Sequence, residues 1–511
     1  MDRREFFYRS FLSHFGYEPT TCQDAFLGDV ASFLTEDNGD ILVANGYAGT
    51  GKTTALAAIV ATMGEMEIPC VLLAPTGRAA KVLSSYTGRP AYTIHKHIYR
   101  RQSISGDGFG QFSLSPNKAK DTLYIVDEVS LIGIDGGGSG AAFGSGNLLE
   151  DLVAYVRHGM GCRMILVGDA AQLPPVGLDA SPALSEAYMD QFSGVLFSTL
   201  TTVVRQQKAS GILHNATLLR HRIMGDVSGG VDAKPERAFP QRSGPGPRSE
   251  DAFLGARAAL SPSEQAAIQL ELKGFDDIER IGGGELIEAI SDAYDRFGED
   301  EVIVLTRSNK RANRYNAGIR SMVQFKEERL VRGEKLMIVK NCYQFASDKK
   351  DSSLEYIANG DIANLIKISR YEDRYGLHFA TARLSFPDYG DEEIVAKVCL
   401  DTLESESASL TREQQEALYQ GVLEDYSHLT TKKKRYDAVK EDPYFNALQL
   451  KYANAITGHK SQGGQWDCVF IDNPFWQDDL ADEDLKWLYT ALTRAVKKVY
   501  LVNFRDSMFV L

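Results

Sequence analysis

The amino-acid sequence predicts an α/β protein built on open parallel sheets. Three observations carry this. Short, wholly apolar runs alternate with helical patterns from about residue 20 to 205. A glycine-rich turn joins one of those runs to a helix. A second series of runs and helices returns at 301–320 and again from 452 onward. Runs without polar alternation fit strands buried on both faces, and repeated strand–helix units fit a parallel sheet.

In chain order, 41–45 (ILVAN), 70–74 (CVLLA), 123–126 (LYIV) and 163–167 (RMILV) are the expected strands, with helices at 52–66 and 77–86. Residues 100–120 interrupt the series. Polar strand-like segments around Gly106-Asp107-Gly108 predict a projecting hairpin. Residues 135–146 (DGGGSGAAFGSG) read as a flexible loop, and 225–250, rich in Gly, Pro and Arg, as poorly ordered within an insertion running to about 285. The second α/β signature comprises 301–320, 452–472 and 487–504. Between its parts, KLMIVKN, ANLIKISR, HFATARLSF and EIVAKVCL suggest a small β-barrel over 335–400, followed by a charged helical arm at 401–441. The expected division is 1–204, 205–334, 335–450 and 451–511, with 1–204 the first α/β domain and 205–334 and 451–511 the two parts of the second, flanking the barrel insert and its helical arm. No fixed-period repeat is present.

At 511 residues, 43% hydrophobic and 24% charged, the chain can bury several cores, in about three domains. A net charge of −13 argues against a whole-surface polyanion binder but leaves room for a local basic groove. Six scattered cysteines without a CxxC pair predict reduced thiols and no zinc site. No apolar stretch reaches the roughly 18 residues of a membrane span. The start, MDRREFFYRSFLSHF, lacks the apolar region of a signal peptide. A cytoplasmic protein without membrane contact is expected.

The motifs define the chemistry. Gly46-Tyr47-Ala48-Gly49-Thr50-Gly51-Lys52-Thr53, with Thr54 following, is a P-loop. Its backbone N–H groups would surround phosphates, Lys52 would neutralise the β/γ-phosphates and Thr53 would ligate Mg²⁺. Asp127-Glu128 ends an apolar run, on the sheet rim where ligands bind. There Asp127 suits Mg²⁺ and Glu128 suits activation of water. In ILVGDAAQLPPVG, 165–177, Gln172 can reach a γ-phosphate or the attacking water, and Pro174 and Pro175 stiffen the exit. Arg205 and Arg494, far apart in sequence, are candidate cations for the transferred phosphoryl group. Gln23 is a candidate for adenine, through its carboxamide. Three polar loops suit sugar–phosphate contacts: Pro75, Thr76 and Arg78; Thr93, His95 and Lys96; and Thr457, His459, Lys460, Ser461 and Gln462.

Taken together, these residues resemble a superfamily 1 helicase, most closely the 5′→3′ group with RecD-type and Dda-type enzymes. GYAGTGKT, APTGRAA, TIH, DE, GDAAQLPPVG, VVRQ, AITGHKSQG and YTALTRA occur in family order, from Gln23 to about 504. The resemblance implies two RecA-like domains that bind ATP with Mg²⁺ between them and grip single-stranded DNA across their tops, with Arg205 and Arg494 closing on the nucleotide. It implies 5′→3′ translocation, duplex unwinding at single-strand/double-strand junctions, and work in DNA repair, recombination or replication. The hairpin is placed like the family's separation pin, with Phe109 or Phe112 facing the junction, and the barrel like its SH3-like insert, where IANGD (357–361) resembles the Asn-Gly-Asp turn. A monomer is expected to suffice. Two readings stay open: an RNA helicase, and an ATP-driven switch that recruits proteins without unwinding. One departure stands out. Where family members often read Gly-Ser-Glu, this chain has Gly463-Gly464-Gln465. The tracts at 135–146, 225–285 and 401–441 have no family counterpart and are candidate partner-binding insertions.

Overall fold

The computed structural model describes residues 2–101, 112–134, 144–204, 210–225, 269–342, 357–477 and 480–510. The first lobe is a parallel six-stranded sheet. Its chain contains β1 (Ile41–Gly46), β2 (Cys70–Ala74), β3 (Ala91–Thr93), the hairpin strands β4 (Tyr99–Arg101) and β5 (Phe112–Leu114), β6 (Leu123–Val126), β7 (Arg163–Gly168) and β8 (Val195–Leu200). The sheet order is β3-β2-β6-β7-β1-β8, with β4 and β5 paired separately and antiparallel. The apolar runs are explained by burial on both sides. Leu42, Ala44, Leu123, Ile125, Ile165 and Val167 pack under helices Arg3–Phe15, Thr21–Thr35 and Lys52–Glu65. Their neighbours Ile41, Val43, Tyr124, Val126, Met164 and Leu166 pack against helix Leu148–His158 on the other face. Each such large side chain contributes about 1.5–3 kcal/mol when fully buried. Because β7 separates β1 from β6, the P-loop and the Asp127-Glu128 turn leave the same sheet edge two strands apart, with the Asp169 turn between them.

The second lobe is a five-stranded parallel sheet, ordered β16-β10-β17-β18-β9. It is assembled from β9 (Ile278–Ile281), β10 (Val302–Thr306), β16 (Ala455–Thr457), β17 (Trp466–Asp472) and β18 (Ala495–Val502). Between β10 and β16 the chain builds a closed barrel from β11 (Lys335–Ile338), β12 (Ile362–Arg374), β13 (Leu377–Phe386), β14 (Glu392–Cys399) and β15 (Leu448–Tyr452).

Two stretches differ from the sequence reading. Part of the supposed flexible tract, 269–285, is built into the second lobe, where β9 pairs with β18 through Val499↔Ile278 to Val502↔Ile281. The barrel does not end near 400. Its last strand, β15, follows the helical arm and closes the ring against β11 and β14. The arm itself, helices Arg412–Asp425 and Lys432–Glu441, lies on the barrel: Leu418, Val422 and Val439 pack with Leu377, Phe379 and Cys399. The hairpin tip with Phe109, the loop core at 135–143, Arg205 and most of 225–268 lie outside the described residues.

None of the six cysteines forms a disulfide among the described residues. Among the described residues, no helix is long and apolar enough to cross a membrane.

Candidate functional site

The site grows from the β1 turn. Gly51 adopts φ +79°, and a Cβ there would lie 2.2 Å from Gln23 Nε2, so the loop closes only around a glycine. Gln23 is buried. Its Nε2 donates to the Thr50 carbonyl at 2.8 Å, and its Oε1 accepts from Thr20 N–H at 2.8 Å, completing a capping box. The residue proposed for adenine therefore braces the phosphate loop instead, with both carboxamide atoms engaged by the chain. Thr50 Oγ1 donates to Tyr47 O at 2.7 Å. Lys52 Nζ is folded back onto the carbonyls of Gly46 and, at 3.1 Å, Tyr47. Gly46, Ala48 and Gly49 form the turn, and Thr53 and Thr54 the first helical turn behind Lys52.

Across β7 lie the acidic residues. Asp127 Oδ2 accepts from Tyr86 O–H at 2.6 Å and Oδ1 from Glu128 N–H at 2.9 Å. Glu128 is held in the left-handed region at φ +53°, a sparsely used conformation for a side-chain-bearing residue that re-aims it into the seam. Burial is the largest influence on its carboxyl and raises its pKa. Arg494 and Lys52 pull it down, while Asp127 and Asp169 add to the rise. Gln172 is buried, and its Oε1 has no hydrogen-bond partner among the described residues.

The second lobe closes over this edge through helix Asp482–Leu492 and the turn that follows. Arg494 is 3% exposed. Its Nε donates to Thr490 O at 3.1 Å, Nη1 to Gly464 O at 3.3 Å and Nη2 to Thr493 Oγ1 at 3.2 Å. Tyr489 O–H donates to Asp169 Oδ2 at 2.7 Å, and its oxygen accepts from Ala48 N–H at 2.9 Å. Thr490 Oγ1 accepts from Leu173 N–H at 2.8 Å, and Gln462 Nε2 donates to Leu173 O at 2.6 Å. Sequence reasoning assigned no role to Tyr489 or Thr490, although both stand inside YTALTRA. Only the docked helix shows that they reach the first lobe.

Two of the polar loops, 75–78 and 457–462 with its continuation, meet at a second place on the seam, and several side chains of all three already have structural work. Thr76 Oγ1 caps helix Gly77–Thr87, and Thr93 Oγ1 caps the short helix Ile94–Ile98. Arg78 lies 4.0 Å over the Trp466 ring and donates to Gln465 O at 3.2 Å. A Cβ on Gly464 would sit 2.7 Å from Arg78 Nε and 2.8 Å from Trp466 Cη2, so the close approach of Arg78 and Trp466 leaves room for glycine. Ser461 and Gln462 face inward, to Gly458 O and Leu173 O, rather than toward an open groove. Burial depresses His95 to about 4, so it is neutral and brings no cation to a phosphate. Lys96 lies 5.5 Å over the Tyr92 ring. His459 is also lowered by burial. Lys460 bonds the Asn359 side chain of the barrel turn, and its pKa falls to about 8 through burial and the nearby Lys451. Pro75 and Thr457 adjoin these loops at the ends of β2 and β16. Phe112 pairs with Arg101 in the hairpin backbone.

The residues suit a nucleoside triphosphate with a divalent cation. A loop that only glycine can close, a lysine at its exit, a carboxylate pair facing it and an orphaned buried acceptor on Gln172 form such a donor and acceptor set.

Comparison with known proteins matches both lobes. The AAA domain family covers residues 29–234 and the UvrD-like helicase C-terminal domain covers 452–502. Each lobe is thus similar to a described domain family, an AAA domain in the first and a UvrD-like helicase C-terminal domain in the second. Among individual proteins, the similarity is to RecD and Dda helicases over part of the chain. The chain is 36% identical over 182 residues to the ATP-dependent RecD2 DNA helicase of Deinococcus radiodurans, covering 34% of this chain and 22% of that one. It is 31% identical over 154 residues to the ATP-dependent DNA helicase Dda of Enterobacteria phage T4, covering 29% and 30%. The chain thus spans less than a third of either relative's length. A structure of two Pif1 helicases on forked duplex DNA aligns over 97% of this chain and 95% of that one, at 15% identity and a TM-score of 0.45.

Proposed function

We propose that this chain hydrolyses ATP in the seam between its lobes and uses the resulting opening and closing to move 5′→3′ along single-stranded DNA and part a duplex. One observation carries the reading: Glu128 of the first lobe is within electrostatic reach of both Lys52, beside it on the P-loop, and Arg494 of the second lobe. A triphosphate in that position is touched from both sides, so its presence and loss act on the lobe geometry.

Thr53 and Asp127 would hold the magnesium, which when bound neutralises charge on the β/γ-phosphate oxygens. Glu128 takes a proton from the attacking water, with Gln172 Oε1 orienting that water. Lys52 leaves the carbonyls of Gly46 and Tyr47 for phosphate oxygens. Arg494, and Arg205 in the same role, stabilise charge on the transferred phosphoryl group. For the strand, Lys460, Lys96, His459 and Thr457 supply the phosphate contacts. Pro75, Thr76 and Thr93 shape the adjoining backbone, and Arg78 holds the two motif loops together. Phe109 or Phe112 of the expected hairpin would meet the duplex junction.

ATP hydrolysis with equal lengths of single-stranded DNA and RNA tests this. The expected result is strong stimulation by DNA and little by RNA. Equal stimulation by RNA would move the track to RNA. No stimulation by either, with a stable ATP-bound protein complex, would point to a recruiting switch.

A further inference from the structure

The P-loop is touched from the second lobe by one hydroxyl. Tyr489 is 1% exposed, and both functions of its phenol are used. Its proton goes to Asp169, and its oxygen takes the N–H of Ala48. Asp169 in turn fixes the segment behind it, its Oδ1 accepting from Ala171 N–H at 3.0 Å and its carbonyl from Gln172 N–H at 3.2 Å. One residue further, Leu173 is held at N–H by Thr490 and at C=O by Gln462. Two adjacent residues on one helix thus grip both the phosphate loop and the Gln172 segment. The same helix leads directly into Arg494, and Gln462 belongs to the loop that carries Lys460.

From this geometry we infer that Tyr489 is a positioning residue. It ties the P-loop amide at Ala48 to the Asp169 turn across the seam, and it transmits occupancy of the loop to the Lys460 loop. The inference rests on the proposed ATPase activity but assigns a part to a residue outside the reacting set. P-loop amides bind phosphates. An amide committed to a phenol is withheld until that phenol moves. When it moves, the Asp169 contact changes with it, and the grip on Leu173 is altered one residue along. Coupling through a hydroxyl is removable without removing the ring that fills the buried space, which makes the idea separable from packing.

The test is Y489F in the full chain, read two ways: affinity for a fluorescent ADP analogue, and the ratio of hydrolysis with and without single-stranded DNA. T490V is measured alongside. Loss of a competing neutral hydrogen bond should tighten nucleotide binding roughly fivefold. The stimulation ratio should fall several-fold, and KM should change together with kcat, whereas a folding defect lowers apparent kcat and leaves KM unchanged. T490V should lower the ratio as well, because it breaks the companion contact. Wild-type stimulation in Y489F, or unchanged nucleotide affinity, overturns the inference. Should the wild-type chain itself show no strand stimulation, the functional proposal fails on that result alone, and unchanged affinity in Y489F still separately overturns the role of Tyr489.

Discussion

Replacing Arg494 by alanine removes the one described second-lobe cation that acts on Glu128. Among the described residues the guanidinium makes no side-chain ion pair, only bonds to Thr490 O, Gly464 O and Thr493 Oγ1. Thr490 O keeps the Thr493 hydroxyl as a donor at 3.0 Å, whereas Gly464 O loses the guanidinium. The structural cost is therefore that of one orphaned carbonyl, about 1–3 kcal/mol. The chemical cost is larger. Loss of a preorganised donor at a transition state costs about 10²–10³ in rate, and an arginine finger up to about 10⁵. R494A should thus fold, bind nucleotide within a few-fold of wild type, and hydrolyse it at least about a hundredfold more slowly. A second signature follows from electrostatics. Arg494 favours the ionised form of Glu128, so its removal raises that pKa further. A base works deprotonated, so residual activity should disappear at higher pH on the acid side than in wild type. R494K keeps the charge and should keep the acid limb, while losing rate because it cannot fork between acceptors. Steady-state hydrolysis across pH, with thermal melting as the folding control, decides the matter. A kcat within tenfold of wild type for R494A would refute the reasoning.

Three further outcomes are expected. K52A should abolish multiple-turnover hydrolysis while single-strand binding by fluorescence anisotropy stays measurable. Lys460, with its pKa near 8, is charged below that value and neutral above it, so DNA affinity should weaken as pH rises through about 8; K460R should flatten this dependence, and a flat wild-type profile would remove Lys460 from the strand path. G464S should displace Arg78 from Trp466, since its Cβ meets Arg78 Nε at 2.7 Å; with a cation–π contact worth about 0.5–2 kcal/mol, a modest loss of melting temperature and of ATP-dependent closure is expected.

The fold was most legible where the chain is buried on both faces. ILVAN, CVLLA, LYIV and RMILV stand out because successive apolar residues in them pack on opposite faces of the sheet. Edge and barrel strands carry no such mark. β9, read as part of a flexible tract, is IERI, with Glu279 and Arg280 exposed between buried isoleucines, and β3 has only three residues. β15 (LQLKY) looks polar, yet Gln449 and Lys451 are buried and satisfied, the latter by Thr402 O and Ser405 O. The P-loop turn was readable because its spacing is set within a single loop. The contacts of Tyr489 and Thr490 were not, since they are to residues more than three hundred positions away. The stacking of Arg78 on Trp466 was hidden for the same reason, the two being far apart in sequence.

Unwinding of a partial duplex carrying either a 5′ or a 3′ single-stranded tail, with ATP and magnesium, tests the central claim most directly. The account predicts strand separation from the 5′-tailed substrate, none from the 3′-tailed one, and none from either with K52A. Separation only from the 3′ tail would reverse the direction. ATP-independent separation, or ATP hydrolysis that never displaces a strand, would contradict a motor driven from the seam.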